Sequence, residues 1–205
     1  QKFSGESLDI PQPDSIANNG PATAKIIKEP ATLKIAPGII PRGKMDKVVI
    51  IIDDVGMDRK RSREVIDLPG PVTLAFLPYA PKLDEITAEA REKGHELLIH
   101  APMEAVDSKL YEGPLALREG MSDESFETTL NAMFDSFHGY IGINNHMGSK
   151  LTQDERAMNL VMEALNKRGL IFVDSKTIAS SVAEDIAVAH GLAHAGRDVF
   201  LDNED

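Results

Sequence analysis

The stretch Val48-Val49-Ile50-Ile51-Ile52-Asp53-Asp54 decides the fold. Consecutive β-branched residues are typical of a strand that is buried on both faces, as in a parallel sheet covered by helices. Two carboxylates follow this apolar run directly. Further apolar runs along the chain lead into His100, His146 and Asp174 in the same way. Because the loops after parallel strands open at one edge of the sheet, the sequence predicts a single polar site at that edge.

Short β-branched runs alternate with charged amphipathic segments from Lys47 onward, and this alternation predicts an α/β fold with a parallel sheet and right-handed crossovers. The predicted strands cover residues 48–54, 72–78, 96–103, 140–147, 170–175 and 197–203. The predicted helices cover residues 58–67, 81–93, 122–137, 153–168 and 179–191. Residues 104–121 show no periodicity, and a segment of this length after a strand that carries a site is expected to be a substrate-binding loop.

Residues 1–45 differ in composition from the rest of the chain. They contain six prolines, with Ser, Asn and Gly between them, and they lack a helical or strand period. This composition predicts a flexible arm or linker, in which residues 31–35 could add one edge strand. The expected organisation is therefore an arm over 1–45 and one folded domain over 46–205.

Composition and charge exclude several classes of protein. The 205 residues carry a net charge of −11, which disfavours nucleic acids and anionic lipid surfaces as partners. No apolar run reaches the roughly 18 residues of a transmembrane helix. The absence of cysteine excludes disulfides and thiolate metal sites. The chain also lacks the glycine-rich phosphate-binding motifs and the GxSxG motif of serine hydrolases.

The adjacent carboxylates of Asp53 and Asp54 indicate metal-assisted hydrolysis, in which one carboxylate binds a cation and the other accepts a proton from water. On a regular strand they would point to opposite faces, but a turn at Gly56 could bring both into the site. The alternative is that an aspartate caps the next helix. Two imidazoles, His100 and His146, favour the site, because two histidines and a carboxylate are a common ligand set for catalytic zinc. The same set suits other divalent ions.

Other polar residues near these strand ends are candidates for substrate contact or for support of the ligands. Glu104 lies four residues after His100. Asp174 could orient a histidine, support the ligands or cap the following helix. The remaining candidates are Asn144, Asn145 and Ser149 around His146, and Arg197 and Asp198, which we expect to form an ion pair near the site with a structural role.

Five runs carry a resemblance to a known family. They are Ile52-Asp53-Asp54-Val55-Gly56, the segment from Leu68 to Ala80, the segment from Gly94 to Glu104, Asn144-Asn145-His146-Met147-Gly148-Ser149, and the segment from Arg197 to Asp202. Together they resemble the divergent polysaccharide deacetylase family, a branch of the carbohydrate esterases, over residues 46–205. The resemblance implies a deformed (β/α) barrel.

The resemblance also implies roles for individual residues. Asp53 matches the catalytic base, Asp54 the metal-binding aspartate and His100 the first histidine of the family's metal motif. The second histidine of that motif falls on Glu104, so either Glu104 or His146 supplies the third ligand. We favour His146, because it lies in the most distinctive run and at another strand end.

The residues predict a metal-dependent hydrolase with zinc as the expected cation. The resemblance implies that it removes acetyl groups from a polysaccharide in the periplasm or at the cell surface. The alternative is a glycan-binding or regulatory protein of the envelope that has the same fold and no catalysis. Glu104 at a histidine position favours the alternative, whereas the paired aspartates oppose it. Six strands are too few to close such a barrel, so we also expect the domain to be truncated before its last strands.

Overall fold

Six parallel strands in sequential order form one open sheet in the computed structural model, which describes residues 47–201. The strands are β1 (Ile51–Val55), β2 (Thr73–Phe76), β3 (Glu96–Met103), β4 (Gly142–Met147), β5 (Ile171–Asp174) and β6 (His194–Gly196). The helices between them are α1 (Arg59–Ile66), α2 (Leu83–Glu92), α3 (Asp123–Phe134), α4 (Glu155–Asn166) and α5 (Ala183–Ala189), with a short 3₁₀ turn at Leu151–Gln153. The predicted arm of residues 1–45 lies outside the described residues.

The two faces of the sheet differ because successive side chains along a strand alternate between them. One face packs against all five helices and contains most of the buried apolar side chains, such as Phe76, Ile99 and Phe172. The opposite face, which we call the inner face, has a small cluster made by Ala75, Leu98 and Val173. Helices on one face of a sequentially ordered sheet are the arrangement of a barrel wall, so the α/β fold is confirmed and is consistent with a deformed barrel.

The predicted helices and the first five predicted strands are all present, and their ends differ from the predicted ones by up to four residues. The largest difference among these strands is at β1, which begins at Ile51 rather than at Val48. Val48 and Val49 are exposed, so the start of the apolar run is not buried on both faces as its composition predicts. β1 is an edge strand, and one side of it has no neighbouring strand among the described residues.

The prediction of a strand over 197–203 is wrong for its described part. The sixth strand is His194–Gly196, and residues 197–201 form no strand. Val199 and Leu201 are 67% and 80% exposed, so their apolar character does not reflect burial in the sheet. The strand itself is short and made of residues with weak strand preference, and its backbone pairing with β5 holds it in place.

β1 and β6 are the two edges of this sheet, and the described residues do not close it into a barrel. None of the helices within residues 47–201 has the length and apolar character that crossing a bilayer would require.

Candidate metal and catalytic site

The centre of the site comes from β3 and β4, which lie side by side in the sheet. Their register pairs His100 with Asn144 and Pro102 with His146. His100 lies two residues after Leu98, and Asn144 and His146 are also two residues apart, so all three side chains belong to the inner face. His100 and Asn144 are buried, and His146 is partly exposed.

The paired aspartates come from an irregularity in β1. Ile52 pairs with Leu74 and Val55 with Phe76, so β1 has one residue more than β2 between these pairs, which is a β-bulge. Asp54 has a φ of 57°, in the left-handed region. The bulge lets both aspartates face inward between two residues, Ile52 and Val55, that pack on the helices. The residue that turns both aspartates inward is thus Asp54 itself, two residues before Gly56, where we expected the turn; Gly56 also has a positive φ, of 116°.

Three ligand-type atoms converge where β1, β3 and β4 meet. Asp54 Oδ1 lies 3.4 Å from His100 Nε2 and 3.0 Å from His146 Nδ1, and the two ring nitrogens are 3.1 Å apart. Metal–ligand bonds of about 2.0–2.2 Å place neighbouring ligand atoms roughly 2.9–3.5 Å apart, so the three separations fit one cation. Within residues 47–201 no other group of His, Asp and Glu side chains meets this description.

The electrostatic field at these three atoms favours positive charge. Hydrogen bonds from His100 and His146 hold the pKa of Asp54 well below its usual range, although burial opposes the shift. Burial lowers the pKa of His100, but the carboxylates of Asp54 and Asp53 together raise it by more than burial lowers it, so that it lies above its ordinary value. A field that favours an imidazolium also favours a bound divalent cation.

Asn144 connects the predicted base to a predicted ligand. Its Nδ2 lies 3.0 Å from Asp53 Oδ1 and 3.3 Å from Ser175 Oγ. Its Oδ1 lies 3.0 Å from His100 Nδ1. Asp53 makes no other side-chain hydrogen bond within the described part of the chain, so its Oδ2 is available to accept a proton.

Glu104 lies outside this cluster, although the resemblance made it the alternative candidate for the third ligand. Its Oε1 accepts a hydrogen bond from Lys150 Nζ at 2.9 Å, and its Oε2 accepts one from the backbone N–H of Glu119 at 2.9 Å. Burial raises the pKa of Glu104, but the hydrogen bonds from Lys150 and Glu119 lower it by more. Its carboxylate therefore holds the loop that we expected to bind substrate, which we call the 104–121 loop.

The 104–121 loop has no helix or strand, as expected. Its backbone is joined to the end of β3 by an isolated bridge between Leu117 and Met103, and further hydrogen bonds hold its shape. Ser149 Oγ accepts a hydrogen bond from Val106 N–H at 3.0 Å. Glu112 is buried, and its carboxylate accepts hydrogen bonds from Ala105 N–H and from Arg118. A loop with buried ionic anchors has a defined shape and can act as one wall of a binding site.

The other candidate residues support the loops around the site and do not touch the three-atom cluster. Asn145 accepts a hydrogen bond from Ser175 N–H and donates one to Met147 O. Asp174 accepts hydrogen bonds from Lys176 N–H and Ser181 Oγ, so it stabilises the turn after β5 and does not cap α5.

The expected ion pair between Arg197 and Asp198 is not formed. Arg197 donates instead to the backbone carbonyls of Ser175 and Lys176, and its guanidinium lies over the Phe200 ring. The guanidinium N–H groups of an arginine can bind two adjacent carbonyls as well as a carboxylate. The position of Asp198 next to Arg197 in sequence therefore does not predict that the two form an ion pair.

Two residues near the site were absent from the sequence prediction. Ser175 contacts Asn144, and it follows Asp174 at the end of β5 in the same apolar run that drew attention to Asp174. Tyr79 is half-buried, and burial together with the negative charge of the Asp54 carboxylate raises its pKa. Gly113 passes so close to the Tyr79 phenol that a Cβ there would clash, so the 104–121 loop packs directly on this ring.

Comparison with known proteins identifies relatives that are similar over most of this chain. An uncharacterized protein of Haemophilus influenzae is 38% identical over 158 residues, and the uncharacterized protein YibQ of Escherichia coli K12 is 36% identical over 157 residues. Both alignments cover 77% of this chain, but they cover 56% and 49% of the relatives, so the chain spans about half the length of each.

A solved structure is also similar. The crystal structure of the uncharacterized protein ATU2773 from Agrobacterium tumefaciens C58 superposes with a TM-score of 0.74 and 30% sequence identity, over 76% of this chain and 64% of that one. The family model described as divergent polysaccharide deacetylase matches residues 50–205. With its parallel sheet and the Asp-Asp and histidine motifs on the inner face, the chain belongs to the divergent polysaccharide deacetylase family.

Proposed function

We propose that this protein is a metal-dependent hydrolase that removes acetyl groups from a polysaccharide of the bacterial envelope. The observation that supports the proposal most directly is the convergence of Asp54, His100 and His146 within 3.4 Å of one another. Asp53, one residue earlier, supplies a carboxylate with a free oxygen beside this cluster. Two imidazoles and one carboxylate leave open positions on a cation, as catalytic sites require.

Each residue has a distinct part in the proposed reaction. Asp54, His100 and His146 would hold the cation, for which zinc is the expected identity. A bound divalent cation supplies polarisation of the acetyl carbonyl and of water. Asp53 would accept a proton from the water that attacks the carbonyl carbon. When the bond from the acetyl carbon to the sugar nitrogen or oxygen breaks, the protonated Asp53 can return that proton, and the products are acetate and a free amine or hydroxyl.

The 104–121 loop would bind the sugar chain beside the cluster. Tyr111 is 75% exposed on this loop, and Tyr79 lies beneath Gly113. Aromatic rings present flat apolar faces together with a polar tip, and these features suit the faces and hydroxyl groups of a sugar.

A second function, glycan binding without turnover, is supported by Glu104. A carboxylate engaged by Lys150 and Glu119 replaces a histidine of the family motif. This function would use the same loop and the same fold, and it would not need Asp53. The two functions therefore differ in the effect of Asp53→Asn, which would change nothing measurable in a protein that only binds glycan.

The test combines metal content with turnover. Protein purified without chelator would be analysed for bound metal, reloaded with zinc and assayed for acetate release from acetylated glucosamine oligomers and acetylated xylan. We expect about one divalent ion per chain and acetate release that stops after chelation and resumes with zinc. Metal binding without acetate release from any acetylated glycan would favour the glycan-binding function.

A matched pair of variants tests the ligand set. His146→Ala should reduce metal content sharply, because losing one of three protein ligands leaves a weak site. Glu104→Gln removes a nearby carboxylate and should leave metal content unchanged. The reverse result, with full metal in His146→Ala and loss in Glu104→Gln, would assign the third ligand to Glu104.

A further inference from the structure

We propose that Asn144 is a positioning residue that couples the base to the cation site through a single amide, orienting Asp53 with one end and fixing the proton on His100 with the other. The inference rests on the proposed function for the roles of Asp53 and His100. It goes beyond that function because one buried side chain, which is 1% exposed, would set both the orientation of Asp53 and the position of the proton on His100.

The direction of the amide follows from its neighbours. An ionised carboxylate can only accept hydrogen bonds, so the Asn144 atom 3.0 Å from Asp53 Oδ1 must be the NH₂ nitrogen. The same nitrogen lies 3.3 Å from Ser175 Oγ, which can accept its second proton. The amide oxygen is therefore the atom that faces His100.

This direction fixes the tautomer of His100. An amide oxygen can only accept, so His100 Nδ1 must carry the proton that it donates across 3.0 Å. In the neutral ring Nε2 then has the lone pair, and Nε2 is the atom that faces Asp54 Oδ1 and His146 Nδ1. The hydrogen bond on one ring nitrogen thus prepares the other to bind a metal.

The opposite end of the amide restrains Asp53. The NH₂ group holds Oδ1 of the carboxylate, so Oδ2 is left to accept a proton in a defined direction. Rotating the amide would place its oxygen against the carboxylate and its NH₂ against His100 Nδ1–H, so neither contact can change alone. The base and the ligand are therefore ordered together.

Two substitutions separate the two contacts. Asn144→Asp keeps an acceptor for His100 Nδ1–H, but it removes the donor to Asp53 and places a second carboxylate beside it. Asn144→Leu fills a similar volume and removes both contacts. Thr87→Val is the control, because it deletes one buried hydrogen bond, to Leu83 O on α2, in a helix that supplies no site residue.

The measurements are zinc affinity, by competition with a chelating dye, and the His100 tautomer, by ¹⁵N NMR of metal-free protein at alkaline pH, where the ring is neutral. We expect wild type to have the proton on Nδ1. Asn144→Leu should bind zinc about 10–100-fold more weakly and shift the proton toward Nε2, as is typical when the partner of a ligating histidine is removed. Asn144→Asp should keep zinc affinity within about threefold and the Nδ1 proton, yet lose about 10²-fold in kcat.

Several results would overturn the proposal. These are an Nε2 proton in wild type, unchanged zinc affinity in Asn144→Leu, equal loss of zinc in both variants, or full kcat in Asn144→Asp. Thermal melts of all variants against Thr87→Val separate these effects from loss of folding. If wild-type protein binds zinc but hydrolyses no acetylated glycan, the proposed function fails, whereas the tautomer and the affinity difference still decide the role of Asn144 toward His100.

Discussion

The two sides of the candidate site are built in contrasting ways. The side from β3 and β4 lies in the middle of the sheet, and the His100 side chain there is 4% exposed. The side from β1 lies at the edge of the sheet, and the Asp54 side chain is 64% exposed. Regular alternation along two central strands places the histidines, whereas the aspartates depend on a β-bulge. Burial fixes one side of the site, and backbone irregularity fixes the other.

The β1 side has its left-handed residue at the ligand Asp54 itself, whereas the left-handed residue of the β3–β4 side, Met147, follows His146 at the end of β4. A left-handed residue other than glycine costs roughly 1–2 kcal/mol, and Asp tolerates this conformation better than most residues. A regular strand at this position would avoid that cost, but it would turn Asp54 toward the helices. Strain of this kind persists where the surrounding structure holds it, and it is common at functional sites.

The largest expected difference between the two sides comes from removing a ligand on each. His100→Ala should lose metal and also lower the free energy of unfolding by about 1–3 kcal/mol, because it leaves Asn144 Oδ1 buried without a partner. Asp54→Gly and Asp54→Ala should lose metal equally, since both remove the carboxylate, but metal-free Asp54→Gly should melt at a higher temperature than metal-free Asp54→Ala, because glycine adopts a positive φ without strain and alanine does not. Calorimetry of the two metal-free variants checks this. An Asp54→Gly variant that melts no higher than Asp54→Ala would mean that the left-handed position is not strained.

The next effect separates the two aspartates within the β1 side. Asp53→Asn is nearly isosteric and removes the proton acceptor, so kcat should fall by about 10²-fold or more while zinc content stays unchanged. The introduced side-chain amide can still present its oxygen to the NH₂ group of Asn144, so the hydrogen bond between the two side chains can remain. Acetate release and metal analysis on one preparation provide the measurement. Metal-free Asp53→Asn protein would show that Asp53 is a ligand.

The same contrast explains how far the sequence predicts the fold and the site. β3 and β4 were predicted with the histidines on them, because continuous apolar runs with flanking turn residues identify central strands well. β1 was placed, but the apolar run does not reveal which of its residues pair, and a regular strand puts Asp53 and Asp54 on opposite faces. The bulge depends on pairing with β2, which is a tertiary property.

At the other edge, the apolar run Val199–Leu201 predicted a strand that begins at residue 197, whereas the observed strand begins three residues earlier, at His194. Composition cannot distinguish an apolar residue that packs in the sheet from one that lies beside it. Hydrogen-bonding partners in the site are equally hidden. Arg197 donates to backbone carbonyls instead of pairing with Asp198, and Asn144 donates to Ser175. Both contacts join residues that are far apart in sequence.

A smaller effect concerns the 104–121 loop, which continues from the buried strand β3. Burial raises the pKa of Glu112, but hydrogen bonds from the backbone and from Arg118 together lower it by more than burial raises it, so the pKa lies below its usual value. A carboxylate with a depressed pKa contributes stability above its unfolded pKa of about 4.3, and this contribution is lost as the pH falls through the folded pKa.

Glu112→Gln should therefore lower the free energy of unfolding by about 1–3 kcal/mol at neutral pH, and the difference from wild type should shrink as the pH falls below about 4. Urea denaturation over this pH range measures it. A difference that is the same at every pH would show that the charge of Glu112 does not stabilise the loop.

The smallest effect is expected at the exposed tip of the same loop, close to the point where Gly113 packs on the Tyr79 ring. Tyr111→Ala removes a ring that is 75% exposed, so the stability of the protein and its zinc affinity should not change. If the ring stacks on a sugar next to the reacting one, KM for acetylated oligomers should rise about threefold to tenfold with kcat unchanged, since uniform binding is lost. Val188→Ala, an exposed apolar residue on α5, is the control. A fall in kcat at constant KM would instead place Tyr111 among the groups that act in the transition state, and unchanged kinetics would remove the loop tip from the binding site.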